Sequence, residues 1–546
     1  MINIKSFVSL CIKDKKNKNI VLLSTLALFL IAVSFIPLGW VKAKMLPDKN
    51  ANTFTVYVDL PNGSSIAQTK IVTQKVVQIL QQEEEVIDIE VFLGTSSPLD
   101  FAGLLKGSNA KKGEHFAEIV ANLTKKEDRS EASFLIVQRV RTNILEVINP
   151  ISPNTTIKMV EPPAGPPVLA AVVAEIYGED QKSIEKLAYR VGEVFKNTSG
   201  LVDVDVLSDD SYEEYKFILD YEKIKRYGLE IDAITELISV AFNGKVVATK
   251  NSKEYNSQLD VFLRLEQRQT PINEALMVLK VRNQQGNLIA LKDMIKVERV
   301  PNEKTLNYKN LKMMLNVVAH TDLVSQIYPL LEARKKIKEE FEDEYEVSNS
   351  NLLNLDFRHK ITNEKLKLVW DGELKVTLDT FRDLGGAFIA ALILIFLLMV
   401  VYYKNFALSG IVLLASFLSI IGVIFGHFIV NIFTTHTFFL TATSLIGFIA
   451  LIGISSRNAL LLIDFTKQQI KEGVPKKEAI ITAVYIRSKP IFLTAMAIIL
   501  ASTLLASDVV FGGLGVALIF GTVAAVIASL IVVPVLIDNL DESKLI

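Results

Sequence analysis

The sequence predicts a multi-pass α-helical membrane protein: one span, a large α+β region of two βαββαβ units with an insert in the second, then five more spans. Three observations predict it. Long apolar runs cluster at 20–40 and 385–537 in a chain of 546 residues that is 50% hydrophobic and 22% charged, with mean hydropathy +0.34. The stretch between them alternates strand and helix periodicities as a soluble domain does. Lys and Arg gather on alternate sides of the apolar runs.

A bilayer core needs about 20 mostly apolar helical residues. Segments 20–40, 385–403, 406–432, 437–463, 490–507 and 509–537 meet that requirement. The first is too long for a signal-peptide core, and Val41-Lys42-Ala43-Lys44 is a poor cleavage site. Lys5, Lys13, Lys15, Lys16 and Lys18 precede the first span, Lys404 lies between the second and third, and Lys467, Lys471, Lys476, Lys477, Arg487 and Lys489 lie between the fourth and fifth. The loops around Thr435 and Asp508 hold no Lys or Arg. Both termini are therefore expected in the cytoplasm, as a leader over 1–19 and a tail over 538–546, with 41–384 outside it.

Residues 53–60 alternate Phe54, Val56, Val58 and Leu60 with Thr53, Thr55, Tyr57 and Asp59, as a half-buried strand does. Pro61-Asn62-Gly63 is turn chemistry, and Ser64 or Ser65 can cap a helix over 65–84. Strands at 86–93 and 115–123, a helix at 131–148 and a strand at 155–161 complete a ferredoxin-like βαββαβ order. A second copy starts with strand 172–177, helix 181–197 and strand 201–207. It resumes with strand 312–319, helix 322–342 and strand 343–349. An insert over 209–308 has elements of its own at 215–220, 232–242 and 258–265. Residues 373–384 read as an amphipathic helix entering the second span.

A net charge of −1 points to no nucleic-acid partner. A single cysteine, Cys11, rules out an internal disulfide framework. No phosphate-binding glycine loop, nucleophile elbow or zinc-ligand helix motif occurs, so neither an enzyme nor a cofactor is expected. Met159 is the only methionine in 46–170, and no His/Cys/carboxylate cluster has ligand spacing, which disfavours a metal site.

Several ordered motifs resemble the resistance-nodulation-division (RND) permeases, specifically the C-terminal halves of the acriflavine-resistance, hydrophobe-amphiphile type. Met45-Leu46-Pro47-Asp48 and Asp59-Leu60-Pro61-Asn62-Gly63 are similar to the opening of the family's outer domain. Val160-Glu161-Pro162-Pro163, Pro166-Pro167-Val168 and Ala174-Glu175-Ile176-Tyr177-Gly178 resemble its join between porter subdomains. Trp370-Asp371-Gly372 resembles the signature before the next span. The run from Gly453 through Ser455-Ser456-Arg457-Asn458 to Asp464-Phe465, continued by Arg487-Ser488-Lys489-Pro490 to Thr494, is the longest match. The resemblance implies porter subdomain 1 over 41–170, porter subdomain 2 over 171–208 and 309–372, and a docking-type insert at 209–308. It implies an inner-membrane location and a homologous trimeric assembly with a periplasmic adaptor and an outer-membrane channel. Family permeases usually carry two such halves in one chain; this chain carries the second, so a separately encoded N-terminal half is expected.

Across those six segments the one Asp, Glu, Lys or Arg is Arg457. It lies seven residues before Asp464, about 10 Å along a helix. A guanidinium there costs about 2.5–3.5 kcal/mol on insertion scales and does not deprotonate. The resemblance implies that Arg457 faces proton-carrying aspartates of the first half, with Arg487 and Thr494 as supporting relay residues and Asn458 beside them. The plainer alternatives are snorkelling for Arg457, a positive-inside anchor for Arg487 and back-bonding to its own helix for Thr494. The stretch from Gly94 to Gly107, with Phe101 and Gly103, resembles the family's flexible substrate loop; an ordinary surface loop is the alternative. The implied function is proton-driven export of hydrophobic or amphipathic compounds such as drugs, bile-salt-like molecules and solvents. The rivals are an RND-like lipid or protein exporter, and a permease or sensor driven by a separate ATPase.

Overall fold

The computed structural model describes residues 4–98, 111–162, 165, 168–255, 258–265, 272–351, 353–434, 437–542 and 545. Helix α1 (Ile4–Lys13) precedes α2 (Lys15–Ser34), the first of six helical segments long and apolar enough to cross a membrane among the described residues. The expected segment 20–40 is shifted toward the N-terminus. The helix gives way to turns before Pro37 and Gly39, where glycine adopts φ +73°.

The first outer sheet contains β1 (Thr53–Asp59), β2 (Val86–Thr95), β3 (Lys112–Leu123) and β4 (Thr156–Val160), in the order β2-β3-β1-β4 with every pair antiparallel. Helices α3 (Ile66–Leu80) and α4 (Ser133–Ile151) cover one face. Phe54, Val56 and Val58 point into that layer with Val76, Leu80, Ile136, Val140 and Ile144. Ser65 and Gln68 form a reciprocal capping box that sets the start of α3.

The second sheet begins with β5 (Val172–Tyr177), α5 (Gln181–Lys196) and β6 (Leu201–Val206). The chain then forms a compact unit over Asp209–Thr305. Within it, β7 (Glu213–Leu219) leads through α6 (Tyr221–Tyr227) and α7 (Ile231–Phe242) to the hairpin of β8 (Lys245–Lys250) and β9 (Leu259–Leu263). Helix α8 (Ile272–Val278), the hairpin of β10 (Lys280–Arg282) and β11 (Leu288–Ala290), and β12 (Ile295–Pro301) follow, with β12 pairing antiparallel to β7. Its core is Ile224, Ile234, Leu276, Leu291 and Met294.

The second sheet resumes with β13 (Tyr308–Lys309), β14 (Lys312–Thr321), α9 (Ile327–Phe341), β15 (Tyr345–Asn349), β16 (Leu355–His359) and β17 (Lys365–Asp371). Its order is β13-β14-β5-β17-β16-β15, with β6 also on β14. Two expectations are corrected here. The strand expected at 343–349 lies at the far edge, and 365–371, not foreseen, takes the place beside β5. The helix expected from 322 starts at Ile327, because Leu323 takes a left-handed backbone and the buried Ser325 and Gln326 bond elsewhere.

Helix α10 (Glu373–Tyr403) runs unbroken from the outer layer into the membrane segment. The third span is α11 (Phe406–Phe417) followed by α12 (Ser419–Phe433). Helices α13 (Ala442–Lys471) and α14 (Lys476–Ala506) both exceed the apolar runs 437–463 and 490–507. Charge ends an apolar run but not a helix, so Asp464, Lys467, Arg487 and Lys489 lie within the helices but beyond the apolar runs, in which Arg457 remains the one charge. The last segment is α15 (Gly512–Ile527), a π-turn at Ala528–Val532 and α16 (Val533–Asn539). Pro534 cannot donate into the ladder, which fits the wider turn just before it.

Glycines set the helix spacing. A Cβ on Gly422 would stand 2.2 Å from the Phe520 carbonyl oxygen, and one on Gly447 would stand 2.7 Å from Ala517 Cβ. Gly453, also on α13, has no such neighbour within 4 Å. Gly422→Ala should push α12 off α15 and destabilise the bundle by about 1–3 kcal/mol. Gly410→Ala, with nothing within 4 Å, should be neutral or stabilising by up to about 1 kcal/mol. Thermal unfolding of the two variants in detergent distinguishes them.

Candidate functional site

Helix α13 begins at a capping box between Thr441 and Ser444. Its inner face carries small polar groups that bond to backbone. Ser455 Oγ donates to the Ala415 carbonyl at 2.9 Å and Thr466 Oγ1 to the Leu462 carbonyl at 2.8 Å. Asn458 is on the same side and only 2% exposed. Bonds of this kind satisfy side chains without charge and draw α13 against α11.

The opposite face is different. Ile446, Ala450, Gly453 and Arg457 are all exposed, and their spacing of four, three and four residues makes one stripe. Ala and Gly on such a stripe let a second helix approach closely. Among the described residues Arg457 makes no ion pair and no side-chain hydrogen bond. It does not reach Asp464, whose carboxylate instead accepts from Tyr402 Oη at 3.1 Å and Tyr403 Oη at 2.9 Å. Lys467 Nζ lies 5.6 Å above the Tyr403 ring. Asp464 is thus held by phenols of α10 and is a packed member of this chain, although the sequence placed it at a span end.

Arg487 and Thr494 lie on the one continuous helix α14, seven residues apart. The guanidinium of Arg487 stacks 5.0 Å from the Phe465 ring, and its buried Nε has no hydrogen-bond partner. Thr494 bonds back to the Pro490 and Ile491 carbonyls at 3.1 and 3.0 Å. The bond to Pro490 is the local pattern expected of a threonine in an apolar helix. Among the described residues no hydrogen bond or ion pair joins Arg457 to Arg487 or Thr494, so these side chains do not form one network within the chain. Gly94 lies near the end of β2, while Phe101, Gly103 and Gly107 lie outside the described residues.

Two polar clusters were not anticipated. Asp538 on α16 pairs with Lys18, and Lys476 donates to the Asp538 and Leu540 carbonyls, joining the first and last spans to the start of α14. His427 is fully buried between the Val423 carbonyl at 2.8 Å and Ser444 Oγ at 2.9 Å, linking α12 to α13. Spacing alone carried no sign of either, because the partners are far apart in sequence.

The chain matches the AcrB/AcrD/AcrF family over residues 5–538. It is 25% identical over 377 residues to the swarming motility protein SwrC of Bacillus subtilis, covering 68% of this chain and 33% of that protein. It is 23% identical over 374 residues to the nickel and cobalt resistance protein CnrA of Cupriavidus metallidurans, covering 68% and 33%. It is 21% identical over 537 residues to the multidrug/solvent efflux pump membrane transporter MepB of Pseudomonas putida, covering 94% and 47%. The crystal structure of a heavy metal efflux pump shares the fold, with TM-score 0.74 at 18% identity over 97% of this chain and 51% of that one. The chain therefore spans a third to about half the length of these relatives.

The two charges on α13 predict opposite stabilities. Arg457→Met should leave the isolated chain in detergent as stable as before, since no partner is lost. Asp464→Leu, which strands two phenols, should lower stability by about 1–3 kcal/mol. Unfolding midpoints of the two variants measure the contrast.

Proposed function

The chain belongs to the AcrB/AcrD/AcrF family of RND efflux transporters, and from that premise we propose that it is one half of a proton-driven exporter of hydrophobic or amphipathic compounds. The supplying observation is Arg457, a cation on an exposed, small-residue stripe of a membrane helix, with no anion paired to it among the described residues. A guanidinium at that depth is stabilised by a carboxylate brought on another helix. The partner is a separately made N-terminal half carrying deep acidic residues. When those carboxylates are ionised, Arg457 attracts them; when they take up a proton, the attraction falls and the two bundles shift.

In this reading Arg487, Thr494 and Asn458 are supporting residues. Arg487 holds charge near the cytoplasmic end of α14, and the buried Asn458 keeps α13 in its rotation. The order β2-β3-β1-β4 supports a ferredoxin-like first porter subdomain. The run β6-β14-β5-β17 supports a second, extended by the β15–β16 hairpin. The unit Asp209–Thr305 would serve as the docking insert. The functional assembly would be three copies of each half in the inner membrane, both termini cytoplasmic, joined to an adaptor and an outer channel. The MepB likeness, which covers 94% of the chain, favours organic cargo. The likeness to CnrA makes a metal cation the second reading.

The test is proton release or uptake coupled to substrate in proteoliposomes holding both halves. Arg457→Ala should insert normally and lose at least about 100-fold of proton-coupled export, the order expected when a charge pair worth about 3 kcal/mol is removed. Arg457→Lys should retain part of it. Undiminished export by Arg457→Ala, or full export by this chain alone, overturns the reading.

A further inference from the structure

Where the outer layers meet the membrane helices, a cavity of about 190 Å³ lies apart from Arg457. The chain leaving α2 passes along it and is stitched to the start of α13. Lys44 N donates to the Leu440 carbonyl at 3.1 Å, Leu440 N to the Lys42 carbonyl at 2.8 Å and Ala442 N to the Met45 carbonyl at 3.0 Å. The same strap is held to the outer layer through Ser133 at the start of α4. Ala51 N donates to Ser133 Oγ at 2.9 Å, and Ser133 Oγ lies 3.2 Å from the Lys49 carbonyl and 2.5 Å from Glu161 Oε1.

The proton count around that hydroxyl is informative. Ser133 has one proton to donate and two lone pairs. If Glu161 is ionised, the serine proton goes to the carboxylate and the Lys49 carbonyl is left without it. If Glu161 is protonated, its O–H donates to Ser133 Oγ, the Ala51 N–H takes the other lone pair, and the serine proton is free for Lys49. Only the protonated state satisfies all three neighbours. We propose that Glu161 and Ser133 form a proton-operated latch that fastens the strap of residues 42–51 to the outer layer when Glu161 is neutral and loosens it when Glu161 ionises.

The surroundings support this. Facing Glu161 from the strap are Lys44, Asp48 and Lys49, with Lys44 paired to Asp48 at 2.5 Å. Arg141 faces it from α4, His320 and Asp322 from the end of β14, and Glu373 from the first residue of α10. Arg141 also holds Asp203 of β6 at 3.1 Å. Burial pushes the Glu161 carboxyl up to about 7 and Asp48 adds to that, against Ser133, Arg141 and Lys44. An ordinary glutamate releases its proton near 4.5, so the folded chain holds the proton over a wider range. The latch is therefore complete in acid, and its stabilisation is lost as pH rises through about 7. An ionised Glu161 also competes with Asp48 for Lys44, which loosens the strap at a second point.

The test is independent of export. Hydrogen exchange of the strap is followed in the full chain in lipid nanodiscs across about pH 5 to 9, corrected for intrinsic rates. Protection of residues 49–52 should fall about tenfold, the order of one lost hydrogen bond, with a midpoint near 7. Glu161→Gln should hold one level of protection throughout. Asp48→Asn should move the midpoint to lower pH, because a like charge is removed. Ser133→Ala should abolish the step while Glu161 remains. Absence of a step in the unaltered chain overturns the latch, as does a step that survives Glu161→Gln or Ser133→Ala.

Discussion

A guanidinium on the outward side of a membrane helix constrains everything around it. Lipid offers the Arg457 guanidinium no counter-ion. The chain has a carboxylate about two turns away in Asp464, yet the fold gives that anion to Tyr402 and Tyr403. Among the described residues the cation is left without a counter-ion, which is the ground of the proposed partner. The exposed stripe it shares with Ile446, Ala450 and Gly453 includes small residues of the kind that let a second helix approach closely. Gly453 fits this reading: it spaces no helix within the chain, unlike Gly422 and Gly447.

Around that outward stripe the bundle is held by polar groups that carry little or no net charge. Ser455 bonds α13 to α11, His427 bonds α12 to α13, and the Lys18–Asp538 pair with Lys476 gathers the first and last helices. Such bonds add modest stability each, but a buried polar atom left unsatisfied is costly in an apolar medium. They fix how the helices are rotated, and rotation decides which residue faces out.

The outer layers are joined to this bundle by the continuous helix α10 and by a short strap. Residues 42–45 exchange backbone bonds with 440–442, and Ser325 and Gln326 add side-chain bonds to Ala43 and Thr377. Four carboxylates, Asp48, Glu161, Asp322 and Glu373, line the cavity beside that strap. Hydrogen bonds at a joint can be exchanged with small movements, whereas a packed apolar core resists them. The hydrogen-bonded contact between the strap and the start of α13 thus rests on a few identifiable atoms.

Much of this was legible in the residue order. Apolar runs marked the six spans, alternation marked β1 through β5, and Arg457 stood out because charge is rare in such runs. Helix ends were less legible: α13 and α14 continue through Lys467, Lys471 and Lys476, since hydropathy reports the membrane boundary and not the hydrogen-bond ladder. The strand at 365–371 was missed because its place in the sheet is set by pairing with a strand nearly two hundred residues earlier, and 355–359 joins the sheet only through it and β15. By itself the sequence determined which segments are apolar, their periodicity and where the unusual charge lies. The tertiary structure alone decided that Asp464 is taken by phenols, that Thr494 turns back on its own helix, and that Glu161 meets Ser133 and the strap. Those outcomes depend on distances between residues remote in the chain, and no local pattern encodes them.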